Sequence, residues 1–264
     1  MLPRTALERM THRLILRRRM PAPFAGTRIF VSSEGGLRYP RPSMRRVDPG
    51  LLRLAAEVVR PGDVVWDVGA NLGLFTFAAA AAAGPGGQVL AIEPDAVLVG
   101  LLRRSAAANP GGAAVDVLPA AVAGELGVGR FHIARRNRST SHLDGFGTTE
   151  TGGVRATQLV PAVTLDWLAE RFPLPAVLKI DVEAAEALVL SGAANVLTAG
   201  PTIICEVAGC NAAEVGSMLS SGGYLLYDSQ QPADRRAPVA AAPPDTLAVR
   251  AGWPAVGYET TLAG

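Results

Sequence analysis

Short apolar segments, most of them followed by a stretch of helical length, are the dominant pattern of the chain. Five of these segments are only four to six residues long: 64–68, 89–92, 115–119, 177–181 and 202–207. Short buried strands that alternate with helices predict a parallel, doubly wound α/β sheet. Two further strands, at 224–227 and 246–249, extend this to a mostly parallel sheet of seven strands with an antiparallel C-terminal strand.

The first 47 residues have a different pattern and are predicted to form a small appendage. Apolar residues recur at helical spacing between arginines over residues 5–19, which predicts a short basic amphipathic helix. Two short strands about a polar turn are expected at 27–31 and 35–39, as a β-hairpin. A helix then begins after Asp48 and Pro49. We therefore expect the main domain to cover residues 48–264.

Composition and charge narrow the classes of protein to which the chain can belong. The formal net charge of its 264 residues is only +2, so we expect no nucleic-acid partner. Cys205 and Cys210 lack the additional ligands of a zinc site. No apolar run reaches the roughly 18 residues of a membrane span, and the arginine-rich N-terminus does not resemble a secretory signal. We expect a cytoplasmic protein that acts on a small molecule, with its oligomeric state left open, a homodimer included.

The segment Val64–Thr76 joins the first strand of the pattern to an alanine-rich helix through a glycine-rich turn. This order is typical of nucleotide-binding sites, because the turn and the helix N-terminus present backbone N–H groups to the ligand. Gly69 and Gly73 allow the ligand to approach the backbone. Asn71 is one of the few non-glycine residue types that tolerate left-handed backbone angles. A structural corner without a ligand has the same appearance, so other parts of the chain must decide.

Four predicted strands end in an acidic residue, and this arrangement favours a ligand site. Asp67, Glu93, Asp181 and Glu206 are expected at the carboxyl edge of the sheet, where open parallel sheets bind their ligands. Unpaired carboxylates repel one another, so a purely structural domain gains nothing from this arrangement. Glu93 lies 20 residues beyond Gly73, where a carboxylate can accept hydrogen bonds from ribose hydroxyls. An adenosine-containing ligand is therefore expected.

The sequence of the turn distinguishes among such ligands. It lacks the G-x-G-x-x-G pattern of a dinucleotide site, and no Gly-Lys-Ser/Thr follows it to form a P-loop. Asp67, just before the turn, would repel a pyrophosphate but attract the ammonium and sulfonium groups of S-adenosylmethionine. Two alternatives stay open: an NAD(P)-type Rossmann oxidoreductase, and a partner domain that binds the cofactor without catalytic activity.

Several motifs resemble those of the FkbM family of S-adenosylmethionine-dependent methyltransferases. They are the segment Val64–Thr76, Ile92-Glu93-Pro94, Val163–Asp166 and, most specifically, Leu178–Glu183 followed by Glu186. The resemblance covers roughly residues 50–250 and implies a class I, Rossmann-like methyltransferase fold. It also implies O-methylation of a hydroxyl on a sugar, glycolipid or polyketide-type product of secondary metabolism, with S-adenosylhomocysteine as the second product. The motif departs from the family pattern at Ala184, where glycine is usual.

The resemblance and the strand-end pattern together assign the candidate site residues. The predicted cofactor-binding residues are Asp67, Gly69, Ala70, Asn71, Gly73, Thr76, Glu93, Pro94 and Asp181. The predicted catalytic residues are Asp181, Glu183 and Lys179, with Lys179 on the same side of its strand as Asp181. Their expected tasks are to align the donor with the acceptor and to remove the proton of the acceptor hydroxyl.

The general base, the metal and the acceptor are left open by the sequence. His142 lies in a polar segment, 135–153, that is expected to be a long exposed loop, and it is an alternative general base. Asp181, Glu183 and Glu206 are oxygen donors that could hold Mg²⁺. A neighbouring lysine disfavours a metal there, so no metal ligand is assigned. We expect the N-terminal segment and the polar loop to select the acceptor.

Overall fold

The computed structural model describes residues 14–35, 39, 44–135, 138–147 and 152–250. Its strands, in chain order, are β1 Leu16–Arg19, β2 Arg28–Val31, β3 Val64–Val68, β4 Gln88–Ile92, β5 Ala114–Leu118, β6 Ala121–Val122, β7 Gly127–Ala134, β8 His142–Leu143, β9 Val154–Val163, β10 Val177–Ile180, β11 Thr202–Glu206, β12 Tyr224–Asp228 and β13 Asp245–Arg250. Its α-helices are α1 Pro49–Val58, α2 Leu74–Ala83, α3 Ala96–Ala107, α4 Leu165–Ala169, α5 Glu186–Ser191, α6 Ala194–Ala199 and α7 Ala212–Ser221. Single turns of 3-10 helix lie at Ser33–Gly35, Met44–Arg46, Arg138–Thr140, Gly209–Asn211 and Ala233–Arg235. No helix in the described ranges combines the length and the apolar character that crossing a membrane requires.

A seven-stranded sheet with the order β12-β13-β11-β10-β3-β4-β5 forms the centre of the molecule. Neighbours from β11 to β5 are all parallel, and β13 is antiparallel to both β11 and β12. This confirms the predicted doubly wound α/β sheet, including its antiparallel C-terminal strand. Because β3 and β10 are neighbours, the turns that follow them lie side by side at the carboxyl edge of the sheet.

Helices cover both faces of this sheet, which explains why its strands are apolar at consecutive positions. Val65 packs into one core with α1, α2 and α3, and the next residue, Trp66, packs into a second core with α4, α5 and α7. Successive side chains of a strand point to opposite faces, so each strand serves both cores. The alanine-rich helix α2 is buried around most of its circumference, because small side chains let it lie close to its neighbours.

A second sheet of four strands, with the order β6-β9-β7-β8, lies beside the carboxyl edge of the central sheet. Residues 135–153 were predicted to form a long exposed loop. That prediction is wrong for the described part, where β8 pairs with β7 and Arg138–Thr140 forms a 3-10 turn. Phe131 and Ile133 of β7 form a small core with Val160 of β9, and this packing holds a segment whose polar composition favours a loop.

The N-terminal prediction also needs correction. Residues 5–13 of the predicted basic helix lie outside the described residues. Its last part, Leu16–Arg19, is not helical but is strand β1, which pairs antiparallel with β2. The predicted strand at 35–39 is described only at its two ends, where Gly35 belongs to a 3-10 turn and Tyr39 to a turn; positions 36–38 are outside the described residues.

Packing against α3 explains the position of β2 in this hairpin. Ile29 and Val31 are buried in the core that also contains α1 to α3. Phe30 donates its backbone N–H to Ser105 Oγ, and Asn109 binds both backbone polar groups of Arg28. These long-range contacts fix β2, which was predicted as a strand, and β2 in turn is the strand with which Leu16–Arg19 pairs in place of the predicted helix. The division of the chain at residue 47 stays a prediction.

Gly69 is the residue at which the turn after β3 touches the turn after β10. It has φ of +76°, and a Cβ atom placed on it would lie 1.8 Å from the carbonyl oxygen of Asp181. Gly62 offers a matched control, because its φ of +88° is similar and nothing lies within 4 Å of a Cβ placed there.

We expect Gly62→Ala to lower the free energy of unfolding by about 1 kcal/mol, from left-handed backbone strain alone. Gly69→Ala should cost a further 1–3 kcal/mol, approximately, because the methyl group must displace the backbone of the neighbouring turn. Urea unfolding followed by tryptophan fluorescence measures both values. Equal losses would show that the two turns are not in contact as described.

Candidate active site

Three adjoining cavities form one cleft along the carboxyl edge of the parallel strands. We call them the Glu93 cavity, the Tyr39 cavity and the Asp245 cavity, after a residue that lines each one. Asp181, which directly follows β10, lines all three. Glu183 lines the first two and Glu206 the last two, so the cleft runs continuously past the ends of β4, β3, β10 and β11.

The turn after β3 presents backbone and one amide side chain to this cleft. Gly69 and Ala70 donate their N–H groups to the carbonyl oxygen of Ile92 at 3.0 and 3.1 Å, which ties the turn to β4. Asn71 has φ of +51°, the left-handed conformation for which its residue type is suited. Its side-chain Oδ1 is buried without a hydrogen-bond partner among the described residues, although the residue lines the Glu93 and Tyr39 cavities.

Glu93 follows β4 and is only 5% exposed. Its Oε2 accepts the backbone N–H of Asn71 at 2.8 Å, and its Oε1 accepts that of Asp95 at 2.9 Å. Burial raises the pKa of Glu93 to about 7, although these two N–H donors favour the ionised form. Each carboxylate oxygen keeps further acceptor capacity for a hydroxyl in the cavity.

Lys179 is a buried residue of β10. Its ammonium group links the turn after β3 to Asp181, a predicted catalytic residue. Its Nζ lies 3.1 Å from Asp67 Oδ1, 3.2 Å from the carbonyl oxygen of Gly69 and 3.3 Å from Asp181 Oδ2. Burial lowers the pKa of Lys179, but the charges of Asp67 and Asp181 outweigh burial and hold the pKa above its ordinary value. Thr76 Oγ1 donates to Asp67 Oδ2 at 2.5 Å, so both oxygens of this fully buried carboxylate are engaged.

The turn after β10 has an unusual backbone. Glu183 and Ala184 have φ values of +51° and +73°, two consecutive left-handed residues without a glycine. The buried carboxylate of Glu186 accepts the Ala184 N–H at 2.9 Å and the Asn211 Nδ2 at 2.9 Å, and Asn211 Nδ2 also donates to the Ala184 carbonyl at 2.7 Å. Glu186 and Asn211 therefore bind the N–H and the carbonyl group of Ala184 and stabilise the strained turn.

Four carboxylates and one basic residue, Lys179, are among the described residues that line the Asp245 cavity at the far end of the cleft. Glu206 is exposed at the end of β11, and the charge of Asp181, followed by burial, raises its pKa to about 7. Asp48 and Asp245 line the same cavity, and burial raises the pKa of Asp245 as well. Within the described ranges, no three or more His, Cys, Asp or Glu side chains are grouped so that they could hold a metal ion.

Arg138 fastens the second sheet to the edge of the cleft. Its guanidinium lies 2.5 Å from Asp95 Oδ2 and 2.5 Å from Glu34 Oε2, and its side chain is only 11% exposed. These contacts place Ser139 and Ser141 in the wall of the Glu93 cavity, opposite the turn after β3. The sequence gives no local signal for this role, because Arg138 lies in a polar segment and its two partners are 43 and 104 residues away.

The structure brings most of the predicted site residues together. Those that line the cleft are Gly69, Ala70, Asn71, Glu93, Pro94, Lys179, Asp181 and Glu183. Asp67 and Thr76 are fully buried behind the turn, and Gly73 is the N-cap of α2. His142 lies on β8 with its ring centroid 5.6 Å from that of His132, and it lines none of the three cavities. The sequence analysis missed Tyr39, Arg138 and Asp245, which reach the cleft only through tertiary contacts.

A profile described as the methyltransferase FkbM domain matches residues 67–226, which is most of the region that builds the cleft. The chain belongs to the FkbM family of methyltransferases. This confirms the resemblance that the sequence motifs indicated. The three cavities therefore belong to a methyltransferase with a class I fold.

This FkbM-family methyltransferase is similar to one named methyltransferase in sequence and to two solved structures in fold. The 31-O-demethyl-FK506 methyltransferase FkbM of Streptomyces tacrolimicus is 33% identical over 205 residues, which cover 66% of this chain and 77% of that protein. Methyltransferase FkbM from Methylobacillus flagellatus KT is 14% identical with a TM-score of 0.45, over 75% of this chain and 50% of its own. The tRNA (uracil-54, C5)-methyltransferase of Pyrococcus abyssi, solved with S-adenosyl-L-homocysteine, is 11% identical with a TM-score of 0.45, over 89% of this chain and 43% of its own. The chain thus spans about half the length or less of these two solved proteins.

Replacing alanine by glycine usually destabilises a folded protein, but the left-handed backbone of Ala184 predicts a different result. We expect Ala184→Gly to leave the free energy of unfolding unchanged or to raise it by up to about 1 kcal/mol. Left-handed alanine costs about 1–2 kcal/mol, whereas the extra freedom of glycine in the unfolded chain costs roughly 0.4–1 kcal/mol.

Ala187→Gly is the matched control, since Ala187 lies within helix α5 three residues later. The same change there should cost about 1 kcal/mol. Urea denaturation of both variants measures the difference. A loss at Ala184 as large as that at Ala187 would contradict the strain assigned to the turn.

Proposed function

We propose that this FkbM-family methyltransferase transfers the methyl group of S-adenosylmethionine to a hydroxyl of a small molecule. One observation carries the proposal: the Glu93 cavity opens at Asp181 onto a second, carboxylate-lined part of the same cleft. A buried carboxylate at the end of β4 suits a ribose, and the part beyond Asp181 leaves room for an acceptor. A donor site and an acceptor site that meet at one residue are what group transfer requires.

The residues of the Glu93 cavity fit S-adenosylmethionine. Asn71 Oδ1 is a buried acceptor that lacks a partner among the described residues, and Gly69 lines the same cavity with backbone atoms alone. Glu93 would accept hydrogen bonds from the ribose hydroxyls. Apolar side chains around it would pack against the adenine: Ile92, Leu98, Ala120 and Phe131.

The other predicted cofactor residues divide into direct and supporting roles. Gly69, Ala70 and Asn71 would contact the amino-acid part of the donor, and Asp181 would attract its ammonium group. Pro94 lines the cavity beside Glu93. Asp67, Gly73 and Thr76 would act indirectly, because they hold Lys179 and shape the start of α2.

Bound S-adenosylmethionine supplies an activated methyl group, whose bonding pair stays with sulfur when the acceptor oxygen bonds to carbon. The task of the protein is therefore mainly alignment, which can supply about 7–11 kcal/mol in favourable cases. Asp181 is held by Lys179 at 3.3 Å and would orient the acceptor hydroxyl by accepting its hydrogen bond. Glu183 lines both parts of the cleft and would support that alignment.

The chemistry of the acceptor part favours a molecule rich in hydroxyl groups. Asp48, Asp181, Glu183 and Glu206 supply hydrogen-bond acceptors around it, and Tyr39 adds an aromatic face. The relative from Streptomyces tacrolimicus is named for methylating 31-O-demethyl-FK506. A sugar, glycolipid or polyketide-type product is therefore the proposed acceptor class, with a domain that binds the cofactor but lacks activity as the remaining alternative.

The proposed donor site is tested by ligand binding. S-adenosylhomocysteine at about 100 times its dissociation constant should stabilise the chain by roughly 2.7 kcal/mol, whereas NAD should not. Glu93→Gln should weaken S-adenosylhomocysteine roughly 10–100-fold, because a charged acceptor of the ribose hydroxyls is lost. Unfolding with and without each ligand measures the stabilisation, and isothermal titration calorimetry measures the affinity. Glu125→Gln, on an exposed turn, serves as the control.

The pH dependence of binding follows from the raised pKa of Glu93. Its carboxyl becomes ionised as pH rises through about 7, so the affinity of the wild type should increase over that range while that of Glu93→Gln stays flat. Stabilisation by NAD but not by S-adenosylhomocysteine would overturn the proposed donor.

The proposed catalytic role of Asp181 predicts a separation of binding from turnover. Asp181→Asn should reduce methyl transfer at least about 100-fold, because the neutral amide orients the hydroxyl poorly. The dissociation constant of S-adenosylhomocysteine should change less than about tenfold, since Lys179 keeps Asp67 and Gly69 as partners. Transfer of a labelled methyl group to glycosides, glycolipids and 31-O-demethyl-FK506 is the assay, with Asp116→Asn on exposed β5 as the control. Normal turnover by Asp181→Asn would show that the assignment is wrong.

A further inference from the structure

Glu206 is an acidic residue of the cleft whose carboxylate is left uncommitted. It ends β11, is exposed, and lines the Tyr39 and Asp245 cavities beside Asp181. Among the residues that the structure describes, none forms a hydrogen bond or an ion pair with its side chain. A carboxylate in this condition has all of its acceptor capacity available to a ligand.

The other carboxylates of the cleft, Glu183 among them, already have interaction partners. Asp181 is paired with the ammonium of Lys179 at 3.3 Å, so one of its carboxylate oxygens is already bound. Glu93 accepts two backbone N–H groups and lies in the donor part. Asp48 caps α1 by accepting the backbone N–H of Leu51 at 2.9 Å. The side chain of Gln230 favours the ionised form of Asp245 and partly offsets the effect of burial on its pKa.

Methylation of a hydroxyl by a sulfonium releases one proton, so the reaction needs a proton acceptor. We propose that Glu206 is the general base that takes this proton from the acceptor hydroxyl. The O–H bond breaks, its electron pair stays on the acceptor oxygen, and the proton binds a carboxylate oxygen of Glu206. Glu206 then releases the proton to solvent, to which it is exposed. This inference rests on the proposed function and adds to it the residue that Asp181 cannot replace.

The charges that face Glu206 suit it to this role. Asp181 after β10, Asp245 on β13 and Asp48 before α1 all raise its pKa, whereas Lys179 on β10 lowers it. The resulting pKa of about 7 is close to the pH at which a general base is most effective. Asp181 and Glu206 thus follow two adjacent strands, and among the described residues only Asp181 forms an ion pair with Lys179.

The decisive variant is Glu206→Gln, which keeps the shape of the side chain but cannot accept a proton. We expect kcat for the acceptor methylated in the labelled-methyl panel to fall on the order of 10²–10⁴-fold. The dissociation constant of S-adenosylhomocysteine should stay within a factor of about three of the wild-type value. The melting temperature should stay unchanged, because the residue is exposed. Glu214→Gln, on the first turn of α7, is the control and should retain activity.

A second readout does not depend on turnover. Protein labelled with ¹³C at the glutamate side-chain carboxyl is titrated by NMR without ligand, and the resonance missing from Glu206→Gln is thereby assigned. Its midpoint should lie at about 7 in the wild type and should move down in Asp181→Asn. In the wild type, kcat should rise with pH through the same midpoint.

The outcomes separate this inference from the proposed function. Turnover of Glu206→Gln within threefold of the wild type, or a Glu206 midpoint near the ordinary value of 4.5, would overturn the role of Glu206 while leaving the methyltransferase intact. Failure of the wild-type chain to bind S-adenosylhomocysteine would instead overturn the proposed function.

Discussion

The rest of the active site depends on one buried ammonium group. Lys179 lies on the central strand β10. Its ammonium group binds the carboxylates of Asp67 and Asp181, together with the carbonyl oxygen of Gly69. A buried charge is tolerated only when it is paired and hydrogen-bonded, so its three partners cannot move independently. The cluster thereby fixes the turn after β3, which shapes the proposed donor site, relative to Asp181, which we propose faces the acceptor.

Two backbone features show how tightly the surrounding turns are constrained. The turn after β3 approaches the turn after β10 so closely that Gly69 cannot carry a side chain without displacement. The turn after β10 places Glu183 and Ala184 in left-handed conformations, which cost free energy for residues other than glycine. The buried carboxylate of Glu186 and the amide of Asn211 hold this turn in place. Strain of this kind, held by surrounding contacts, is common at functional sites and here aims two acidic residues into the cleft.

The same type of side chain serves different purposes along one edge of the sheet because its surroundings differ. Glu93 is enclosed and bound by backbone N–H groups, Asp181 is neutralised by a lysine, and Glu206 faces other negative charges with no basic partner of its own among the described residues. Environments that separate the basicity of neighbouring carboxylates are a general means of assigning distinct roles to them. Arg138 has a comparable effect on the other side of the cleft, where its two ion pairs attach the second sheet beside the donor part.

The sequence by itself determined the features that arise from local pattern. The apolar segments predicted the parallel strands, the order strand–turn–helix located the cleft, and the motif Leu178–Glu183 indicated the family. These succeed because a strand that is buried on both faces, or a turn that needs glycine, leaves a mark on consecutive residues.

Only the tertiary structure decided the partners that are distant in the chain. It paired β1 with β2, ordered part of a polar segment as a second sheet, and brought Tyr39, Arg138 and Asp245 to the cleft. It also placed Asp67 behind the turn instead of in the cleft, and it distinguished Asp181, which is paired with Lys179, from Glu206, which has no ion-pair partner in the described part of the chain. The physical reason is that burial and ion pairing depend on contacts made across the fold, and the spacing of residues along the chain does not contain them.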